Sequence, residues 1–177
     1  MLRQIYAMNP WTVCILLLSL LFLWPVLCQR VGERRRVLLN TALACAAAFI
    51  ILYATILNRT PGNYELILTP FAALSAARQQ PELYRAMLMN VFLFFPLGLT
   101  LSNALPQKWH RWGRIILTTL VGCALSAGIE YAQYRCALGL AETDDVICNT
   151  LGAFLGATSL LAAHAIEKHK EGLGTRT

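Results

Sequence analysis

A chain of 177 residues with 57% hydrophobic and only 14% charged side chains does not fit a water-soluble domain, which carries roughly 25% charged residues. Its net charge of +6 is not interleaved with aromatic side chains on a polar surface, which excludes a nucleic-acid partner. The cysteines lie mostly inside apolar runs with no CxxC pair, which excludes a disulfide framework and a zinc site, so no metal is expected.

Residues 1–10 form a short polar lead holding Arg3. Residues 11–28 follow as an apolar run of about 18 residues, near the lower limit for a membrane span. Its positive charge comes afterwards, as Arg30, Arg34, Arg35 and Arg36 against Glu33. A cleavable signal peptide has that charge in front, so the run is predicted to be a retained span. Residues 37–57 are the second run. A long loop, 58–85, opens with the turn signal Arg59-Thr60-Pro61-Gly62. Inside it, residues 66–71 are apolar but too short to cross, and a re-entrant or interfacial segment is predicted.

The third run, 86–105, contains Pro96 and Gly98. Proline removes a backbone donor, which membrane helices tolerate where neighbours satisfy the freed carbonyl. Lys108, Trp109, Arg111, Trp112 and Arg114 then read as an interfacial anchor. Residues 115–133 are the fourth run, and a short loop leads to a fifth at 146–166. The predicted fold is all-α, a polytopic integral membrane protein of about five transmembrane helices. It divides into a first span with its basic loop (1–36), a four-span domain (37–166) and a polar tail (167–177).

Charge fixes the predicted direction. Loops 29–36 and 104–114 each carry a net +3 and the tail +1, whereas loop 58–85 carries +1 and loop 134–145 carries −2. Lys and Arg accumulate on the cytoplasmic side, so the N-terminus is expected outside and the C-terminus inside. Alternating helix direction then brings Arg59, Asn90, Glu130, Gln133, Asp145 and Asn149 to one outer end. Asp145 and Asn149 share a helix face at (i, i+4) spacing. Glu130 stands in an otherwise apolar and small-residue stretch, where an ionisable group marks a functional site by default. Glu130 and Asp145 are the candidate catalytic pair, and all six residues are ligand-binding candidates. Asp144 and Asp145 also suit a solvated helix start, where acids favour the dipole. Asn149 also suits interhelical bonding, and a Glu130 pairing with Arg59 or Arg135 is a structural alternative. Gly128, Gly152 and Gly156 are read as helix-packing positions.

Four pieces in order carry a family resemblance. They are Asn58-Arg59-Thr60 through Thr69-Pro70-Phe71, then Asn90-Val91 through Pro96-Leu97-Gly98, then Ser126 through Ile129-Glu130 to Gln133, and Asp145 through Asn149-Thr150-Leu151-Gly152. Over roughly residues 48–162 the chain resembles the VanZ-like family of small bacterial membrane proteins. Gly139 departs from it, standing where the family often has an arginine, with Arg135 as the nearby substitute. The resemblance implies a multi-pass protein of the bacterial cytoplasmic membrane and a role in teicoplanin resistance. The expected partners are membrane lipid and a lipoglycopeptide antibiotic or lipid-linked cell-wall precursor, and no cofactor is expected. Three readings follow: a non-enzymatic binder, an intramembrane enzyme using Glu130 and Asp145 as acid and base, and a structural membrane protein.

Overall fold

A computed structural model describes residues 10–62, 65–77, 80–162 and 164–165. Residues 1–9 of the expected lead at 1–10, and the expected tail at 167–177, lie outside the described residues. The elements in order are α1 (Pro10–Gln29), α2 (Glu33–Leu52), a π-helical turn (Tyr53–Leu57), β1 (Glu65–Ile67), α3 (Ala72–Ala77), α4 (Pro81–Ala104), α5 (Arg111–Arg135), β2 (Leu140–Glu142) and α6 (Thr143–Ala157).

Among the described residues, four helices are long and apolar enough to cross a membrane: Glu33–Leu57, Glu82–Ala104, Arg111–Arg135 and Thr143–Ala162. The first apolar run of the chain forms the 20-residue α1. The outside of the bundle is apolar, with Leu38, Phe49, Ile50, Ile116, Leu120 and Leu151 all exposed. Helices that are apolar on their outer faces as well as their inner ones belong in lipid. The protein is therefore an all-α polytopic membrane protein.

The centre of the bundle is the contact between α4 and α6, braced by α5 and α2. Ile51, Phe94, Leu97, Ile129 and Ala153 form the main buried cluster, and Ile115, Ala157 and Leu160 a second one towards the other end. Small residues set the helix separation. A Cβ at Gly152 would strike the carbonyl oxygen of Val91, and one at Gly156 that of Phe95. From the other side, a Cβ at Gly98 would strike the carbonyl oxygen of Ala153. Gly122 of α5 leaves the space into which the Ala153 methyl fits. Pro96 sits in this same stretch, and α4 runs through it unbroken. Gly128 does not belong to the seam. It is exposed, with nothing within 4 Å of a Cβ built on it. The expectation that it packs is corrected, because its position around α5 turns it to the outside.

The apolar segment 66–71 is not helical. Its first residues lie in β1, which pairs in parallel with β2 in the register Glu65 to Leu140, Leu66 to Ala141 and Ile67 to Glu142. The loops after α2 and after α5 are thereby tied into one ribbon. Phe71 then adopts a left-handed backbone, φ 62°, and α3 packs on α4 and α6. Ribbon and α3 together roof the end of the bundle where α6 begins.

Candidate functional site

The site assembles where α2 and α5 end and where α4 and α6 begin. The π-helical turn prepares its first wall. A wider turn releases carbonyls from the i→i+4 pattern, and such turns frequently occur at functional sites. Here Asn58 N–H reaches back to the Tyr53 carbonyl at 2.9 Å. The Thr55 carbonyl instead accepts from Gln133 Nε2 of α5 at 3.1 Å. The same turn delivers Arg59, whose Nη1 donates to the Leu138 carbonyl at 3.3 Å.

Two carboxylates line the interior. Asp145, in the first turn of α6, accepts from Asn90 Nδ2 of α4 at 2.6 Å. Glu130, in the last turns of α5 and 8% exposed, accepts from the Glu142 amide at the ribbon end, 3.1 Å away. The two acids repel each other electrostatically, and Arg59 attracts both. One turn deeper, Asn149 Nδ2 donates to Ser126 Oγ at 2.9 Å, joining α6 to α5. Among the described residues, three buried acceptor-capable atoms here have no hydrogen-bond partner: Gln133 Oε1, Asn149 Oδ1 and Thr150 Oγ1. Leaving a buried polar group unmet costs about 1–3 kcal/mol. The arrangement is rich in acceptors and short of donors.

All six residues expected to converge lie at this one end. Asn90 and Asp145 touch directly. Asn149 meets Ser126, and Gln133 meets the α2 exit. Arg59 forms its described hydrogen bond with the loop backbone, and Arg135 is exposed. Gly139 lies beside Arg59. Its φ is +131°, and a Cβ there would lie 2.9 Å from Arg59 Nη1. The Arg59 guanidinium lies against this glycine, in space that a side chain at position 139 would contest. Replacing Gly139 with alanine is expected to displace Arg59 and strain the loop by about 1–2 kcal/mol. The check is a lowered thermal unfolding midpoint for Gly139→Ala and an unchanged one for Arg135→Ala.

Asp144 is a different kind of acid from its neighbour. It is 4% exposed, and its carboxylate accepts from the Phe71 amide at 2.5 Å and from the Ala73 amide at 2.7 Å. The solvated helix start, one of the readings open for Asp144, does not hold: Asp144 is a buried clamp on the roof. Beside it, partial burial raises the Glu142 carboxyl above its ordinary value, and the charges of Asp144 and Glu65 raise it further. Among the described residues, no group of three or more His, Cys, Asp or Glu side chains stands together as a metal site.

Comparison with known proteins covers most of this structure. The family model VanZ/LLP1 matches residues 41–164, from within α2 to beyond the end of α6. Protein VanZ of Enterococcus faecium is 35% identical over 91 residues, 51% of this chain and 49% of that protein. The chain thus spans about half the length of this curated relative. No solved structure matches. The matched residues hold the glycine seam and every side chain of the site, and the chain belongs to the VanZ/LLP1 family.

Proposed function

We propose that this protein binds the polar group of a lipidated or lipid-linked envelope molecule at the Glu130–Asp145 end of the bundle, and that such binding confers tolerance to teicoplanin. The observation that carries this reading is the pair of unmet buried acceptors, Gln133 Oε1 and Asn149 Oδ1, beside two carboxylates. An incoming group bearing donors, an ammonium or sugar hydroxyls, would satisfy them. Arg59 offers a guanidinium at the edge, suited to an anionic group on the same ligand. The apolar flanks of the bundle suit an acyl chain. Membership of the family supports an envelope role, and the loop charges support an extracytoplasmic position for this end.

The proximity of Glu130 and Asp145 favours a second reading, an intramembrane enzyme acting on a lipid-linked cell-wall substrate. One carboxyl would then donate a proton while the other accepts one.

The test is teicoplanin and vancomycin susceptibility in a sensitive Gram-positive host. The wild type, Glu130→Gln and Asp145→Asn are expressed at matched membrane levels. Wild type is expected to raise teicoplanin tolerance. Each charge-assisted bond contributes about 1.5–3 kcal/mol, so each neutral variant is expected to weaken the effect about tenfold or more. Retained affinity for a lipid-linked substrate by Glu130→Gln, with complete loss of turnover, supports the enzyme. Absence of any effect by well-expressed wild type overturns the resistance reading.

A further inference from the structure

The opposite end of the bundle holds a second polar cluster, built on two buried arginines. Arg36, in the first turn of α2, and Arg114, in the first turn of α5, are each 4% exposed. Both grip the last turn of α4. Arg36 Nη1 donates to the Asn103 carbonyl at 2.8 Å. Arg114 donates through Nε and Nη2 to the Ser102 carbonyl at 3.1 and 2.7 Å. These carbonyls belong to the last turn of the helix, where four such groups lack intrahelical partners. Asn103 in turn donates to Ser159 Oγ of the chain beyond α6 at 3.2 Å.

Helix-end capping accounts for Arg114 and for one nitrogen of Arg36. It does not account for the rest. Arg36 Nε and Nη2 are buried without a hydrogen-bond partner among the described residues. Among the described residues the acid facing them is Glu33, 60% exposed, whose carboxylate stays 3.9 Å from Nη2. The two guanidiniums also repel each other. Among the described residues, two buried positive charges therefore share the partial negative charge of a helix end, worth roughly half an elementary charge, and one loosely held acid. Buried charges are normally paired. Arg30, Arg34, Arg35 and Lys108 surround the cluster as exposed cations. A guanidinium fork with two free donors matches a phosphate in geometry and charge.

We propose that Arg36, backed by Arg114, is a binding site for a phosphate group, supplied by an anionic phospholipid at this end of the bundle. The phosphate takes the place of Glu33 as the counter-anion, and the exposed Glu33 side chain swings away to admit it. Basic pockets between membrane helices on the cytoplasmic side bind lipid headgroups in this way. Arg36 and Arg114 hold the last turn of α4, whereas Asp145 meets Asn90 near its start, so the site is separate from the one proposed above.

The purified full chain is tested by native mass spectrometry and thermal unfolding. It is presented with phosphatidylglycerol, with phosphatidylcholine, and with inorganic phosphate in zwitterionic lipid. Wild type is expected to retain phosphatidylglycerol over phosphatidylcholine. Arg36→Gln is expected to cut that preference about tenfold, the factor of one charge-assisted hydrogen bond. Arg34→Gln and Arg35→Gln are expected to leave it intact. If Arg36→Gln does not fold, Arg36→Lys serves instead, since it keeps the charge and removes the planar fork. A reduced preference supports the site, and a wild-type preference overturns it. Stabilisation by inorganic phosphate that is lost in Arg36→Gln, without a headgroup preference, keeps the phosphate site and assigns it to a soluble phosphate. No preference in the wild type and no phosphate effect overturns the proposal. Loss of the preference in Arg34→Gln instead of Arg36→Gln assigns it to the exposed charge and overturns it equally.

Discussion

Gly152→Ala and Gly156→Ala are each expected to remove most folded protein from the membrane, while Gly128→Ala changes nothing measurable. All three substitutions add the same methyl group to a helix. At positions 152 and 156 it would enter the backbone of α4, at the carbonyls of Val91 and Phe95. At Gly156 it would also lie 2.6 Å from the Leu99 nitrogen. Backbone on both sides cannot swing away as a side chain does, so the helices must separate. Overpacking of this kind costs about 1–3 kcal/mol or more per site. Separation also loosens Ala153, which is fully buried between Gly98 and Gly122. At position 128 the methyl meets open space, and alanine favours the helix over glycine by about 1 kcal/mol. Membrane abundance and the unfolding midpoint in detergent provide the measurement. Equal midpoints for Gly156→Ala and Gly128→Ala would sink the account of the seam.

That contrast marks how far the sequence can be read. Hydropathy alone reveals the apolar runs and the membrane class. Alternating helix direction brings Arg59, Asn90, Glu130, Gln133, Asp145 and Asn149 to one end, because successive membrane spans run in opposite directions. The rotation of each helix about its axis is not legible in the same way. Gly128 and Gly152 are the same residue type in similar surroundings, yet one faces outward and the other a backbone. Gly98 and Gly122 carry no local mark of the contacts they make with Ala153. The ribbon was equally hidden. Three-residue strands leave almost no periodic signal, and Glu65 pairs with Leu140, 75 positions further along the chain. Arg36 and Arg114 count as topology charges in the sequence. Their burial depends on where α4 ends, which is a property of the packed bundle.

Asp144→Ala is expected to release the roof of the site without unfolding the bundle. The Asp144 carboxylate holds the amides of Phe71 and Ala73, residues 73 and 71 positions away in the chain. Bonds to a charged partner contribute about 1.5–3 kcal/mol each, so the loss is about 3 kcal/mol or more at the roof. Phe71 makes the effect sharper. Its left-handed backbone, φ 62°, costs about 1–2 kcal/mol for a residue with a Cβ. Such a conformation persists only where its surroundings impose it, and the Asp144 bond is the evident constraint. Without it, Phe71 relaxes to an extended backbone and α3 loses its anchor on α6. The Glu142 amide, which reaches Glu130 from the end of the same ribbon, then loses its fixed position. Amide hydrogen exchange should therefore accelerate across residues 65–77 and 140–142 and stay slow along the α4–α6 seam. Asp144→Asn keeps an acceptor but removes the charge, and is expected to fall between alanine and wild type. On the proposed function, tolerance to teicoplanin should drop with the roof, although Glu130 and Asp145 are untouched. Unchanged exchange at 65–77 in Asp144→Ala would show that the ribbon holds the roof alone, and Asp144 would then have no part in shaping the site.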